Sequence, residues 1–355
     1  MSVHLWLRAE TKPMEERTAL PPSHAKQLLE AGFQITVEHC PQRIFDIESY
    51  REAGCDIRQA HSWQNDAPTD AIIFGLKEFT EEETFPLSHK HIQFAHAYKE
   101  QQGWERVLGR FTRGGGTLYD IEFLVDDQQR RVAAFGYWAG YSGCAVSIMT
   151  WIAKQKGETL GALSSYPNRE VLIASLKAQL AEISSKPSVI IIGAKGRCGS
   201  GALDLANALD IAVTPWDAEE TAKGGPFEEI LAHNIFVNCV FIQKRIPPFI
   251  TPEILAQKRG DLAVICDVSC DPFGDYNPLP IYSQCTHFDS PSIVLNNSAD
   301  VSLVAIDHLP SLLPKESSED FCNQLMPTLK AITNIDADVW GRAKQTFIQK
   351  TALIK

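Results

Sequence analysis

Ser188-Val189-Ile190-Ile191-Ile192 is the most apolar strand-like run in the chain, and Gly193-Ala194-Lys195-Gly196-Arg197-Cys198-Gly199-Ser200-Gly201 follows it directly, ahead of a helical stretch from Ala202 to Leu209. A buried strand, a glycine-rich turn and a helix in that order restrict the fold more than any other feature here. Such a turn lets backbone approach a pyrophosphate, which then lies on a helix N-terminus whose unpaired N–H groups favour an anion. The spacing is Gly-x-x-Gly-x-x-Gly rather than the more familiar Gly-x-Gly-x-x-Gly, so an ordinary tight turn stands as the alternative. Context favours the nucleotide. Asp217 follows the apolar Ile211-Ala212-Val213 and lies 24 residues after Gly193, where a carboxylate at the tip of the second strand holds the ribose hydroxyls of adenosine. A carboxylate repels a 2′-phosphate, so NAD is expected over NADP; a solvated loop acid is the alternative for Asp217.

Strand-like and helical runs alternate elsewhere too. Val3–Arg8, Gln34–Glu38, Asp70–Gly75 and His91–His96 read as strands, with a helix opened by Pro21-Pro22-Ser23 and another ending at Gly54. Ile211–Val213, Ile235–Asn238 and Ala263–Val268 continue the series, and Ala337–Thr351 closes the chain as a helix. With 355 residues, two domains are expected. The pattern predicts an α/β fold of two Rossmann-like domains with parallel sheets and an active-site cleft between them. Residues 1–135 plus 316–355 would form the substrate domain and 136–315 the NAD-binding domain.

Val132–Ala153 carries no formal charge over 22 residues, long enough to span a bilayer. Its glycines and serines dilute that hydrophobicity, so it is expected to be a buried crossover helix whose glycines admit another backbone. The net charge of −11 would repel a phosphate backbone, which argues against a nucleic-acid partner. The first residues carry Arg8, Glu10, Lys12, Glu15, Glu16 and Arg17, the last five do not form a peroxisomal address, and nine scattered cysteines include no Cys-x-x-Cys. A cytoplasmic protein with mainly reduced thiols is the expectation, with no membrane partner.

Hydride transfer at an amino-bearing carbon needs a base for the ammonium proton, an acid–base group for water addition to the imine, and cations for substrate carboxylates. Lys77 and His96 lie at apparent strand ends, where open α/β sheets place their sites. A solvated lysine paired with Glu78 and a satisfied core histidine are the alternatives. Arg17, Arg130 and Arg131 are candidate carboxylate clamps; neighbours in a strand point to opposite faces, so Arg130 and Arg131 would serve different ligands. His89, His91 and His96 lack a nearby Glu or Cys in any zinc-like spacing, and no metal is expected.

Several stretches together resemble one family. They are Leu7–Pro13, Gly75–Glu78, His91–His96, Arg130–Gly136, Gly196–Gly201, Gly224–Phe227 and Ile306–Pro314, and they are similar to the NAD-dependent, lysine-forming saccharopine dehydrogenases. The resemblance implies a reversible reaction of saccharopine, NAD and water giving L-lysine, 2-oxoglutarate and NADH, on a monomer. It implies Lys77 as base for the secondary amine and His96 as the acid–base group. It places substrate contacts on Arg17, Lys77, Gln101, Arg131, Phe135, Ser269, Cys270 and Asp271. Cofactor contacts fall on Arg130, Gly196, Arg197, Asp217, Thr221, Phe241, Val268, Ile306, Asp307, His308 and Leu309. It sets Lys12 and Glu122 near the site, gives Lys99 the partner Asp307, and suggests a disulfide between Cys198 and Cys239. Two departures stand out: Phe241 replaces a family tyrosine, and the family's Ser-Ala-Asp reads Ser269-Cys270-Asp271. An alanine-dehydrogenase-like enzyme and a non-catalytic NAD-binding redox sensor are the other readings; the sensor reading expects Lys77 and His96 to have decayed.

Overall fold

The computed structural model describes residues 2–240, 242, 244–257, 260–296 and 300–354, and structural statements below concern these residues. Phe241 lies outside them. The chain divides into two compact units, residues 1–134 with 314–355, and residues 135–313.

The first unit is built on a parallel sheet of six strands: β1 (His4–Leu7), β2 (Gln34–Glu38), β3 (Asp56–Arg58), β4 (Ile72–Phe74), β5 (Lys90–Gln93) and β6 (Thr117–Asp120). Their spatial order is β3-β2-β1-β4-β5-β6. Apart from the edge strand β3, the strands carry near-continuous buried side chains, as a sheet covered on both faces requires. Helices Pro22–Glu30, Trp104–Gly114, Pro314–Lys330 and Asp338–Thr351 belong to this unit. The final helix lays Trp340 edge-on against Tyr119 of β6, with ring centroids 5.6 Å apart. Ser318 in the preceding helix accepts the Thr18 amide at 2.9 Å and so anchors the loop after β1.

The second unit repeats the plan. Strands β7 (Ser188–Ile192), β8 (Ala212–Trp216), β9 (Ile235–Asn238), β10 (Val264–Asp267), β11 (Ile293–Val294) and β12 (Ser302–Val304) stand in the order β11-β12-β10-β9-β7-β8, with only the β11–β12 pair antiparallel. The uncharged run forms the helix Gly136–Gln155, buried almost throughout from Trp138 to Ala153. It packs against the helix Arg197–Ala208 so closely that a Cβ at Gly140 would stand 1.8 Å from the carbonyl oxygen of Cys198. No helix among the described residues is long and apolar enough to cross a membrane.

The His91–His96 strand is shorter than its alternation suggests. It ends at Gln93, and His96 sits beyond it with φ at +53°.

Candidate active site

Strand order in the first unit reverses between β1 and β4, so the chain leaves their carboxyl ends in opposite directions and opens a crevice there. Lys77 lies on the loop leaving β4, and its main chain is held on both sides. The Glu10 carboxylate accepts the amides of Leu76 at 2.7 Å and Lys77 at 2.9 Å. The buried Arg8 guanidinium donates to the Lys77 carbonyl oxygen and to Gln93 Oε1.

Lys77 is only 8% exposed, which excludes the solvated-lysine alternative. Burial pulls its ammonium below the usual lysine range; the charges of Arg17 and Lys12 pull the same way, while Glu78 and Glu15 oppose them. Arg17 is gripped by Glu15 through a fork, Nε at 2.8 Å and Nη2 at 2.6 Å, with both side chains buried.

His96 is no core histidine: its side chain is 44% exposed, and it stacks on Phe94. Its Nδ1 lies 3.5 Å from a Glu122 carboxylate oxygen and its Nε2 lies 3.8 Å from Glu78. Glu122 also receives Lys99 at 2.8 Å and Arg131. Lys99, for which the resemblance implies Asp307, therefore has Glu122 as its partner here. Glu78 in turn receives Lys12 at 3.0 Å. Burial pushes both carboxyls upward, yet their cationic neighbours win and bring each down to about 2. Both are anions at any working pH.

Behind this pair sits Asp120 at the end of β6. One of its oxygens accepts the Glu122 amide at 3.0 Å; the other is buried without a hydrogen bond. Burial, with the Glu122 charge added, drives the Asp120 carboxyl up to about 7. The sequence assigns no role at the site to Asp120, Glu10 or Glu15. Asp120 and Glu122 did carry a signal, since acids two apart at a strand end share a face. Arg130 and Arg131 face different partners, Asp126 at 2.8 Å and Glu122. Gln101 and His96 line one cavity of about 220 Å³ with Gln93 and Arg110. Among the described residues no group of three or more His, Cys, Asp and Glu is placed to hold a metal. His91 is fully buried against Trp63 and Phe111, with ring centroids at 5.2 and 5.4 Å.

In the second unit the reversal lies between β7 and β9, and the glycine turn leaves β7 there. Gly193 has φ +88°, and a Cβ there would meet Val240 at 2.7 Å, so the turn demands glycine. Gly196 caps the helix Arg197–Ala208. Asp217 follows β8 directly. Its oxygens accept the Lys195 and Ala218 amides, both at 2.8 Å, and these bonds lower its carboxyl. Far from a loose loop acid, Asp217 joins the glycine turn to the end of β8. With Gly196, Thr221 and Val240 it lines a cavity of about 760 Å³. Such a turn, with a carboxylate at the next strand tip and room beside it, fits the adenosine and pyrophosphate of a dinucleotide.

Val268, Ser269, Cys270 and Asp271 leave β10, where Asp267 holds them: it accepts Ser269 Oγ at 2.6 Å, Asn238 Nδ2 at 2.9 Å and the Tyr282 hydroxyl at 2.6 Å. Ile306–Leu309 leave β12; Ile306 pairs with Thr286, and His308 packs on Phe288. Arg197 lies exposed at the start of its helix, and Phe135 caps the helix Gly136–Gln155. Cys198 and Cys239 are free thiols, and a hydrogen bond between them, then burial, raises Cys239 well above the ordinary thiol range.

Residues 6–142 match the family described as Alanine dehydrogenase/PNT, N-terminal domain. The chain is 49% identical to the Saccharopine dehydrogenase [NAD(+), L-lysine-forming] of Candida albicans, over 99% of this chain and 97% of that protein. It is 48% identical to the protein of the same name from Yarrowia lipolytica, over 97% and 96% of the two chains. The chain belongs to the saccharopine dehydrogenase [NAD(+), L-lysine-forming] family. Solved structures show how widely the fold of this saccharopine dehydrogenase relative is shared. An L-alanine dehydrogenase superposes with a TM-score of 0.65 at 16% identity, covering 98% of this chain and all of that one. A transhydrogenase from Sinorhizobium meliloti gives 0.67 at 17% identity, covering 96% and 97%.

Proposed function

We propose that the chain catalyses the reversible oxidation of saccharopine by NAD and water to L-lysine, 2-oxoglutarate and NADH. One observation supports this above the others: Lys77, shifted toward its neutral form by burial and then by Arg17 and Lys12, directly precedes Glu78, which with Glu122 flanks His96 as an ionised carboxylate. NAD supplies the hydride acceptor when it is bound at the glycine turn. Gly196, Arg197, Asp217, Thr221, Val268, Ile306, Asp307, His308, Leu309 and Arg130 are proposed to hold it.

The substrate nitrogen must be neutral before the neighbouring C–H bond can break, because its lone pair has to push into the forming C=N bond. The Lys77 amine takes that proton. His96 then accepts a proton from the water that adds to the imine carbon, and later returns one to the departing lysine amine. Glu78 and Glu122 stand as negative neighbours to the cationic ring formed between these transfers. Arg131 pairs with Glu122 through one nitrogen, and a guanidinium has five N–H donors, so it can also fork onto a substrate carboxylate. Arg17, Gln101, Phe135, Ser269, Cys270 and Asp271 complete the proposed substrate contacts. A monomeric enzyme, in which Cys198 and Cys239 can close a disulfide, follows from the same resemblance; a cytoplasmic place is proposed from the scattered cysteines.

The test is NADH consumption with lysine plus 2-oxoglutarate, run beside pyruvate plus ammonia. Consumption only with pyruvate and ammonia would replace this reading by an alanine-dehydrogenase-like one.

A further inference from the structure

Cys270 and Cys285 lie 15 residues apart in the chain, yet their sulfur atoms stand 3.2 Å from each other. That is inside ordinary van der Waals contact, and closing to a bond length of about 2.0 Å needs a movement of only about 1 Å. Both are free thiols, and both are partly exposed. The remaining cysteines outside the Cys198–Cys239 contact are buried. The surroundings bring these two sulfurs together by separate means. Cys270 leaves β10 in a left-handed conformation, φ +48°, and its thiol also donates to the Ala305 carbonyl oxygen at 3.2 Å. Cys285 is carried into place by Thr286, whose amide donates to that same Ala305 oxygen at 2.7 Å and whose hydroxyl accepts the Ala305 amide at 2.9 Å.

We propose that Cys270 and Cys285 form a reversible redox site that closes a disulfide under a low-molecular-weight disulfide oxidant. One protein thiolate attacks the oxidant RSSR, forming a mixed disulfide and releasing one RS⁻. The second thiol, after losing its proton, attacks the protein sulfur of that mixed disulfide and expels the second RS⁻. Two thiols are oxidised, one external disulfide is reduced, and the two protons leave as two RSH. An added thiol reverses the sequence.

The bond would tie the segment after β10, Val268 to Asp271, to the chain beside Ile306. Two stretches proposed to hold the cofactor would thereby be fixed to each other, with Tyr282 on the intervening loop already bonded to Asp267. The pairing stands on the sulfur geometry alone. Its effect on nucleotide binding rests on the function proposed above.

The experiment treats the full-length protein with oxidised glutathione, blocks remaining thiols, and maps peptides without reduction. A peptide joining Cys270 to Cys285, absent after dithiothreitol and absent in Cys285→Ser, is the expected result. Absence of that peptide at oxidant levels that modify either thiol with glutathione overturns the site. NADH binding, followed by fluorescence, is expected to weaken on oxidation at least threefold more in wild type than in Cys285→Ser, which retains the Cys198–Cys239 pair. A joined peptide with unchanged NADH binding keeps the redox site and removes its coupling to the nucleotide. Failure of reduced protein to bind NADH at all sinks the functional reading instead.

Discussion

Glu10, on the loop leaving β1, accepts the backbone amide of Lys77 at 2.9 Å while its other oxygen takes the amide of Leu76 at 2.7 Å. A carboxylate from one strand end thus sets the direction in which the proposed base leaves the neighbouring strand. Glu10→Gln keeps the size but turns one acceptor into a donor facing an N–H. A buried amide left unpaired costs about 1–3 kcal/mol. Chemical denaturation is expected to show a loss of that order, with a fall in kcat. A variant with unaltered stability and turnover would show that the loop holds itself.

Lys77→Met and His96→Gln are expected to lower turnover with saccharopine by about 10²–10⁴-fold each, the usual range for an acid–base group. Because burial and Arg17 lower the Lys77 pKa, the amine becomes available as base at a lower pH than an ordinary lysine. Turnover in the oxidative direction should rise with pH across that ionisation in wild type, and Lys77→Met should lose that limb. The double variant should lose less than the product of the two singles. Wild-type rates and pH profiles in both single variants would make the two residues structural.

Asp217 is proposed to hold the adenosine ribose hydroxyls, and its charge there would repel a 2′-phosphate. Asp217→Ser with Ala218→Arg is expected to raise kcat/KM for NADPH and lower it for NADH. Serine can still cap the short helix that follows, which limits the folding cost. Equal use of NADPH and NADH by the wild-type protein would refute the assignment.

Asp120 gives a prediction about stability rather than rate. Its carboxyl rises on folding from an ordinary value of 3.8 to about 7. Between those values the folded chain holds a proton that the unfolded chain has lost. This contribution is therefore complete below about pH 4 and disappears as pH rises to about 7, a change on the order of 2–4 kcal/mol. Asp120→Asn carries no such ionisation and should gain on wild type at pH 8 relative to pH 4, measured by urea unfolding at both. An equal difference at the two pH values would mean that Asp120 is ionised throughout.

Much of the scaffold could be read from the chain because it rests on local chemistry. Gln34–Glu38 forms the strand expected of it, and Gly54 ends its helix with the positive φ that glycine permits. The helices Trp104–Gly114, Arg169–Ala181 and Pro314–Lys330 lie outside the elements expected from the sequence. The last contains Pro327 and buries two serines, so its inward face does not look apolar in one dimension. At the site, Lys77 and His96 stood out by residue type and position. Asp120, Glu10 and Glu15 act through partners such as Glu122, Lys77 and Arg17, and those pairings exist only once distant strand ends are side by side.

The contact between Gly140 and the Cys198 carbonyl has a bearing on how substitutions in this family member are interpreted. Nothing but a hydrogen atom separates a long hydrophobic rod from the first turn of the helix that the glycine loop opens. An added methyl group at position 140 could fit only by displacing that turn or the rod. A substitution with no access to the dinucleotide would then register as a defect in cofactor affinity. Screens that rank residues by their distance from a ligand would pass over it.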